Sequence, residues 1–222
     1  LTDSEWGQAK GTDYFLEIEP GDNISPQEKT EVKVAYDDQN LYVAFLAFAD
    51  PKDIRASFQG RDQAWMDDWV AIFLDTYGDA NTGTMVGANP YGIQMDAINN
   101  GNGKEDPSFD LVYESKGKIT DDGYQVEMAI PFSSLSFPDK EVQEWKVGFY
   151  RSLPREKRSQ IIWGGFDRTN PCFLCQMGTL IGIHGIKQNG SFEFLPAIVG
   201  SQAAELDQNN TLKKGTAAGE AS

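Results

Sequence analysis

Short runs of β-branched and aromatic residues, each closed by Gly, Pro, Asn or Asp, recur along most of this chain. That punctuation suits strands and turns. Residues 30–36 (TEVKVAY) alternate apolar with polar, the period of a half-buried strand. Asp37-Asp38-Gln39-Asn40 follows as a turn, and 41–49 (LYVAFLAFA) reads as a return strand buried on both faces. Residues 69–75 (WVAIFLD) give a third strong strand. Segments 84–89 and 92–97 form a pair around Pro90-Tyr91, and 109–115 and 116–120 are weaker. Segments 124–130, 145–151, 160–163, 178–183 and 191–199 complete the series. Roughly ten short strands separated by turns predict an all-β, antiparallel, jelly-roll-like β-sandwich. Helix is expected only at 51–57 and 131–135. One domain is expected over 1–200, with 191–200 either its edge strand or the start of a following domain. From about Ser201 the composition turns small and polar, which predicts a flexible tail over 201–222.

An apolar content of 40% is ample for a sandwich core. The 34 acidic residues against 19 basic ones give a net charge of −15. Such a surface repels phosphate backbones and anionic lipid, which excludes nucleic acid as a partner. It is compatible with neutral ligands and with divalent cations held by oxygen. No run approaches the ~20 apolar residues of a membrane helix. The chain opens at Leu1 rather than Met, as a processed or trimmed chain would. Cys172 and Cys175 are the two cysteines and His184 the one histidine, too few for a zinc site. A local disulfide stapling a loop is the expectation, with free thiols or redox chemistry as alternatives.

Motifs for catalysis are missing: there is no nucleophile elbow, phosphate-binding glycine loop or metalloprotease helix. Glycoside hydrolysis needs two carboxyls flanking a cleft, and with 34 acids some pair always fits by chance. The sequence predicts a binding domain and not an enzyme, with a structural or interaction domain that holds no sugar, or an accessory part of a glycoside hydrolase, as the alternatives.

Several segments occur in a recognisable order: LTDSEW, TEVKVAYDDQNLYVAF, RDQAWMDDWVAIFLDT, NPYGIQMD, DDGYQVEMAIPFSSL, WKVGFYR and GTLIGI. Together they cover about residues 1–185 and resemble the family 9 carbohydrate-binding modules. The likeness is strongest to modules at the front of bacterial envelope proteins whose downstream part is an outer-membrane β-barrel. It implies a secreted, periplasmic or outer-membrane-associated setting, a carbohydrate partner and attachment to a barrel. It also implies a ligand slot between two aromatic rings, supplied here by Trp65 and by Phe173, with Asn170 and Asn89 as hydroxyl partners. Arg61 and Asp67 lie close to Trp65 in sequence and are further polar candidates. Two positions depart from the family pattern: Ala71 stands where binders carry an acid, and Gly87 where they carry an arginine. Glu127 is expected to pair with Arg61 or Arg151. Structural calcium is the one cofactor implied, and the loop after the third strong strand offers Asp75, Asp79 and Asn81, with Asp96 as a fourth oxygen ligand.

Overall fold

A computed structural model describes residues 4–7, 9–101 and 104–187, and the backbone of 198–202, 205–206, 212–213 and 217–221. Thirteen strands make up the first part: β1 (Lys10–Thr12), β2 (Phe15–Glu19), β3 (Thr30–Tyr36), β4 (Asn40–Phe48), β5 (Trp69–Asp75), β6 (Thr82–Ala88), β7 (Gln94–Asn100), β8 (Glu105–Asp106), β9 (Glu114–Thr120), β10 (Gly123–Pro131), β11 (Val142–Pro154), β12 (Arg158–Trp163) and β13 (Gly178–His184). One sheet runs β1-β3-β4-β10-β9, and the other β2-β12-β11-β5-β6-β7-β8, all antiparallel. β11 is long enough to take two neighbours on one edge: its first half pairs with β13 and its second half with β12. The expected β-sandwich is therefore present.

The β3–β4 hairpin closes at Asp37, whose Oδ1 accepts the amides of Gln39 and Asn40 at 2.7 Å each. This side chain mimics a backbone turn. The alternation then sets Leu41, Val43 and Phe45 of β4 and Val126, Met128 and Ile130 of β10 against Val70, Ile72 and Leu74 of β5 and Val147 and Phe149 of β11. Phe45 and Phe149 meet edge to face across the layers, 6.1 Å between centroids. Each such buried side chain contributes about 1.5–3 kcal/mol, partly offset by chain ordering.

β4 is half-buried on its outer face, and it is β5, at the centre of the other sheet, that is buried along its whole length. The second layer over β5 is a separate apolar cluster of Trp69, Ala71, Phe73, Met85, Met95, Ala97, Leu174 and Met177. Segment 109–115 is not a strand until Glu114, because side chains hold it instead of a neighbouring strand. Asp96 accepts the Leu111 amide and Gln94 donates to the Tyr113 carbonyl. Segment 51–57 is a turn followed by irregular chain, since Asp68 and Asp67 accept the amides of Arg55 and Ser57. Residues 132–134 form one 3₁₀ turn.

Arg151 is fully buried at one end of the core, donating to the carbonyls of Lys29 and Phe48, to Thr30 Oγ1 and to Glu28. Glu28, not Glu127, is its ion-pair partner. Glu127 lies on β10 between the core-facing Val126 and Met128 and so points to the opposite face of its sheet.

Leu1–Asn189 and Gly190–Ser222 are two compact units. In the second, whose residues 201–222 read as a polar tail, β14 (Ile198–Gln202) pairs with β17 (Ala217–Ala221) and β15 (Glu205–Leu206) with β16 (Leu212–Lys213). The apolar run expected to be a strand over 191–199 lies outside the described residues up to 197.

Candidate functional site

A half-open pocket of about 370 Å³ sits on the outer face of the second sheet, over β5 and β11. Its floor follows from the period of WVAIFLD. Val70, Ile72 and Leu74 enter the core, so Trp69 and Phe73 point the other way. Tyr150 sits opposite Ala71 in the β5–β11 register. The small Ala71 lets the phenol ring settle between its neighbours, 4.9 Å from Trp69 and 6.2 Å from Phe73.

The walls come from two loops. Trp65, in the turn ahead of β5, meets Trp69 edge-on at 5.6 Å. Phe173, in the loop between β12 and β13, packs on Phe73 at 5.0 Å and on Phe166 at 5.7 Å. That second loop is well tied. Cys172 and Cys175 form a disulfide. The Asn170 side chain accepts the Cys172 amide, and Gln176 donates to the carbonyls of Asp167 and Cys172. Trp65, Trp69, Phe73, Tyr150, Phe166 and Phe173 thus line one space.

The polar lining is Asn99, Glu105, Glu19, Gln160 and Arg168. Asn99 is 2% exposed, and its Oδ1 has no hydrogen-bond partner among the described residues. The same holds for the indole nitrogen of Trp69, a residue 8% exposed. Buried polar atoms are almost always paired, and these two enclosed exceptions belong to residues that line the pocket. Glu105 is exposed, yet the aromatic residues around it strip enough water to raise its carboxyl above the usual carboxylate range, against the opposing pull of a hydrogen bond from Asn99. Glu19 accepts from Gln160 at 2.7 Å.

Of the six ligand contacts expected from sequence, Trp65 and Phe173 meet at this pocket, and the other four do not line it. Asp67 is buried and accepts from the Ser57 amide, the Ser57 hydroxyl and Asn89. Asn89 is fully buried too, donating to the Ser57 carbonyl and Asp67 while accepting the amides of Tyr91 and Ile93. Both organise loops. Asn170 turns its oxygen back into its own loop. Arg61 bonds Gln94, Asp96 and the Leu111 carbonyl, and its guanidinium lies over the Tyr113 ring. The sequence reading overlooked Trp69, Phe73, Tyr150, Asn99 and Glu105. For Trp69 and Phe73 the signal was there, as the face of β5 opposite the core.

The four expected calcium ligands are not assembled. Asp75 is buried and accepts the amides of Tyr77, Gly78 and Ala80, while Asp79 accepts that of Asn81. These oxygens fix the loop. Asp96 is held elsewhere: burial raises its carboxyl, with Arg61 and the Leu111 amide pulling the other way. Among the described residues, the one close group of three carboxylates is Asp62, Asp96 and Asp110, and Arg61 already contacts all three. A guanidinium in that position supplies the cation, so the residues do not fit a metal there.

Ala71 and Gly87, the two departures noted from sequence, face each other directly in the β5–β6 register. Both are fully enclosed beneath the second cluster. An acid and an arginine at these sites would form a buried cross-strand ion pair. Losing one partner of such a pair would strand the other.

Several solved structures share this architecture. A candidate carbohydrate-binding protein from Bacteroides uniformis superposes with a TM-score of 0.62 at 15% identity, over 82% of this chain and 88% of that one. A family 9 carbohydrate-binding module from Caldicellulosiruptor kristjanssonii, in complex with glucose, gives 0.54 at 20% identity over 88% and 92%. The structure of a Caldicellulosiruptor kristjanssonii family 9 module with cellotriose gives 0.53 at 18%, over 89% and 92%. No curated protein matches the chain. The family described as carbohydrate family 9 binding domain-like matches residues 1–159, and with most of the sandwich inside that match this chain belongs to it.

Proposed function

We propose that this domain is a non-catalytic carbohydrate-binding module that takes a pyranose ring between Trp65 and Phe173. The observation behind this reading is that rings from two loops far apart in the chain line one pocket, together with the polar side chains of Glu19, Asn99, Glu105, Gln160 and Arg168. A sugar suits such a pocket. Its C–H face stacks on aromatic rings, and its hydroxyls both donate and accept. Related modules in complex with glucose and cellotriose support the same ligand class. The disulfide favours an extracytoplasmic setting.

Binding is tested by calorimetric titration of glucose and cello-, xylo- and chito-oligosaccharides into the protein. Trp65→Ala is expected to weaken binding by about tenfold or more with the fold unchanged, since it removes one stacking wall. Undiminished sugar affinity in that variant would remove the site assignment.

A further inference from the structure

The aromatic pocket is acidic. Besides its six rings it is lined by the carboxylates of Glu19 and Glu105 and by a single base, Arg168. Arg168 is exposed, and its guanidinium donates to the Gly21 carbonyl. Phe166 and Arg168 also border an adjoining depression whose acids are Asp22 and Asp167. Rings and carboxylates around one cavity are the combination that binds a cation, through the negative faces of the rings and through direct ion pairing.

Resting on the reading above, we propose that the sugar taken by this pocket is a cationic amino sugar, a glucosamine-type unit whose ammonium faces Glu19 and Glu105. A neutral sugar would displace water from the Glu105 carboxylate and return no charge to it, which disfavours the ionised form. An ammonium offsets that loss. Asn99, which lines the same pocket, donates its amide to Glu105 and helps to hold that carboxylate in place. The ring hydroxyls remain for Gln160 and Arg168. The acidic depression beyond Arg168 would take a second unit of the same chemistry.

The test is calorimetric titration of the intact chain near neutral pH with four probes: a fully deacetylated glucosamine tetramer, its N-acetylated counterpart, cellotetraose and choline. The glucosamine tetramer is expected to bind at least about tenfold more tightly than either neutral tetramer. The double variant Glu19→Gln with Glu105→Gln should bring that ratio close to one, with thermal melts verifying its fold. Cellotetraose binding as tightly as the glucosamine tetramer, or an unchanged ratio in the double variant, overturns the proposal. In either case, loss of binding in Trp65→Ala would leave the carbohydrate site itself standing. Choline binding as tightly as the glucosamine tetramer would show a cation cage with no sugar preference. Absence of binding to every sugar would remove both readings.

Discussion

On one side of Trp69 lies Asp67, whose carboxylate meets three donors, and beyond it Asn89, whose amide meets two donors and two acceptors. On the other side lies the pocket, where the indole N–H of Trp69 itself and the Asn99 carbonyl oxygen meet none among the described residues. Both regions are rich in polar groups beside aromatic rings, and sequence alone treats them alike. Completeness of hydrogen bonding separates them. The satisfied network holds loops in place, whereas the pocket residues leave side-chain atoms without a partner in the fold.

The largest expected effect that would break this contrast comes from the satisfied side. Asp67→Ala strands the Ser57 amide, the Ser57 hydroxyl and the Asn89 amide group, and should cost about 3 kcal/mol of stability. Sugar affinity should be unchanged, as titration on the folded fraction would reveal. Normal melting with abolished binding would restore Asp67 to the ligand site.

Alkali probes both sides at once. Burial raises the phenols of Tyr113 and Tyr124, and that of Tyr150 at the pocket, far above the ordinary range. A free phenol loses its proton near pH 10. The unfolded chain therefore ionises there while the folded chain does not. Stability is full below about pH 10 and falls above it, by about 1.4 kcal/mol per pH unit for each phenol. Denaturation midpoints measured from about pH 9 to 11 would check the slope, and phenolate absorbance should rise only with unfolding.

The smallest stability effect belongs to the pocket. Asn99→Leu removes an unpaired oxygen and one hydrogen bond to the exposed Glu105, and should change stability by less than about 1 kcal/mol. Sugar affinity should nonetheless drop by about tenfold, read by the same titration. A stability loss as large as that of Asp67→Ala would place Asn99 among the structural groups.

Much of the sandwich was legible because its strands alternate. β3 and β5 fall on the expected residues, and β4 and β10 within one residue of them. β1 and β2 were not, being short and lying beside Gly and Asp without a clean period. Segment 109–115 looked like a strand by composition, but Asp96 and Gln94 hold it from the side. At the site, Trp65 and Phe173 were reached through resemblance. Asn99 was not, since its position depends on the pairing of β7 with β6. The calcium reading went astray at Asp75 for a chemical reason. A loop that ties its own amides and a loop that ligates a cation use the same residue types.

Because all seven residues of β5 are enclosed, the pocket floor and the hydrophobic core are two sides of one strand. Changing the floor disturbs folding, so substitutions that spare the fold are confined to the rim: the Trp65 turn, the disulfide loop and β8. Grafting those three segments between relatives would move ligand choice while leaving the scaffold untouched, which makes the rim the interchangeable part of this module.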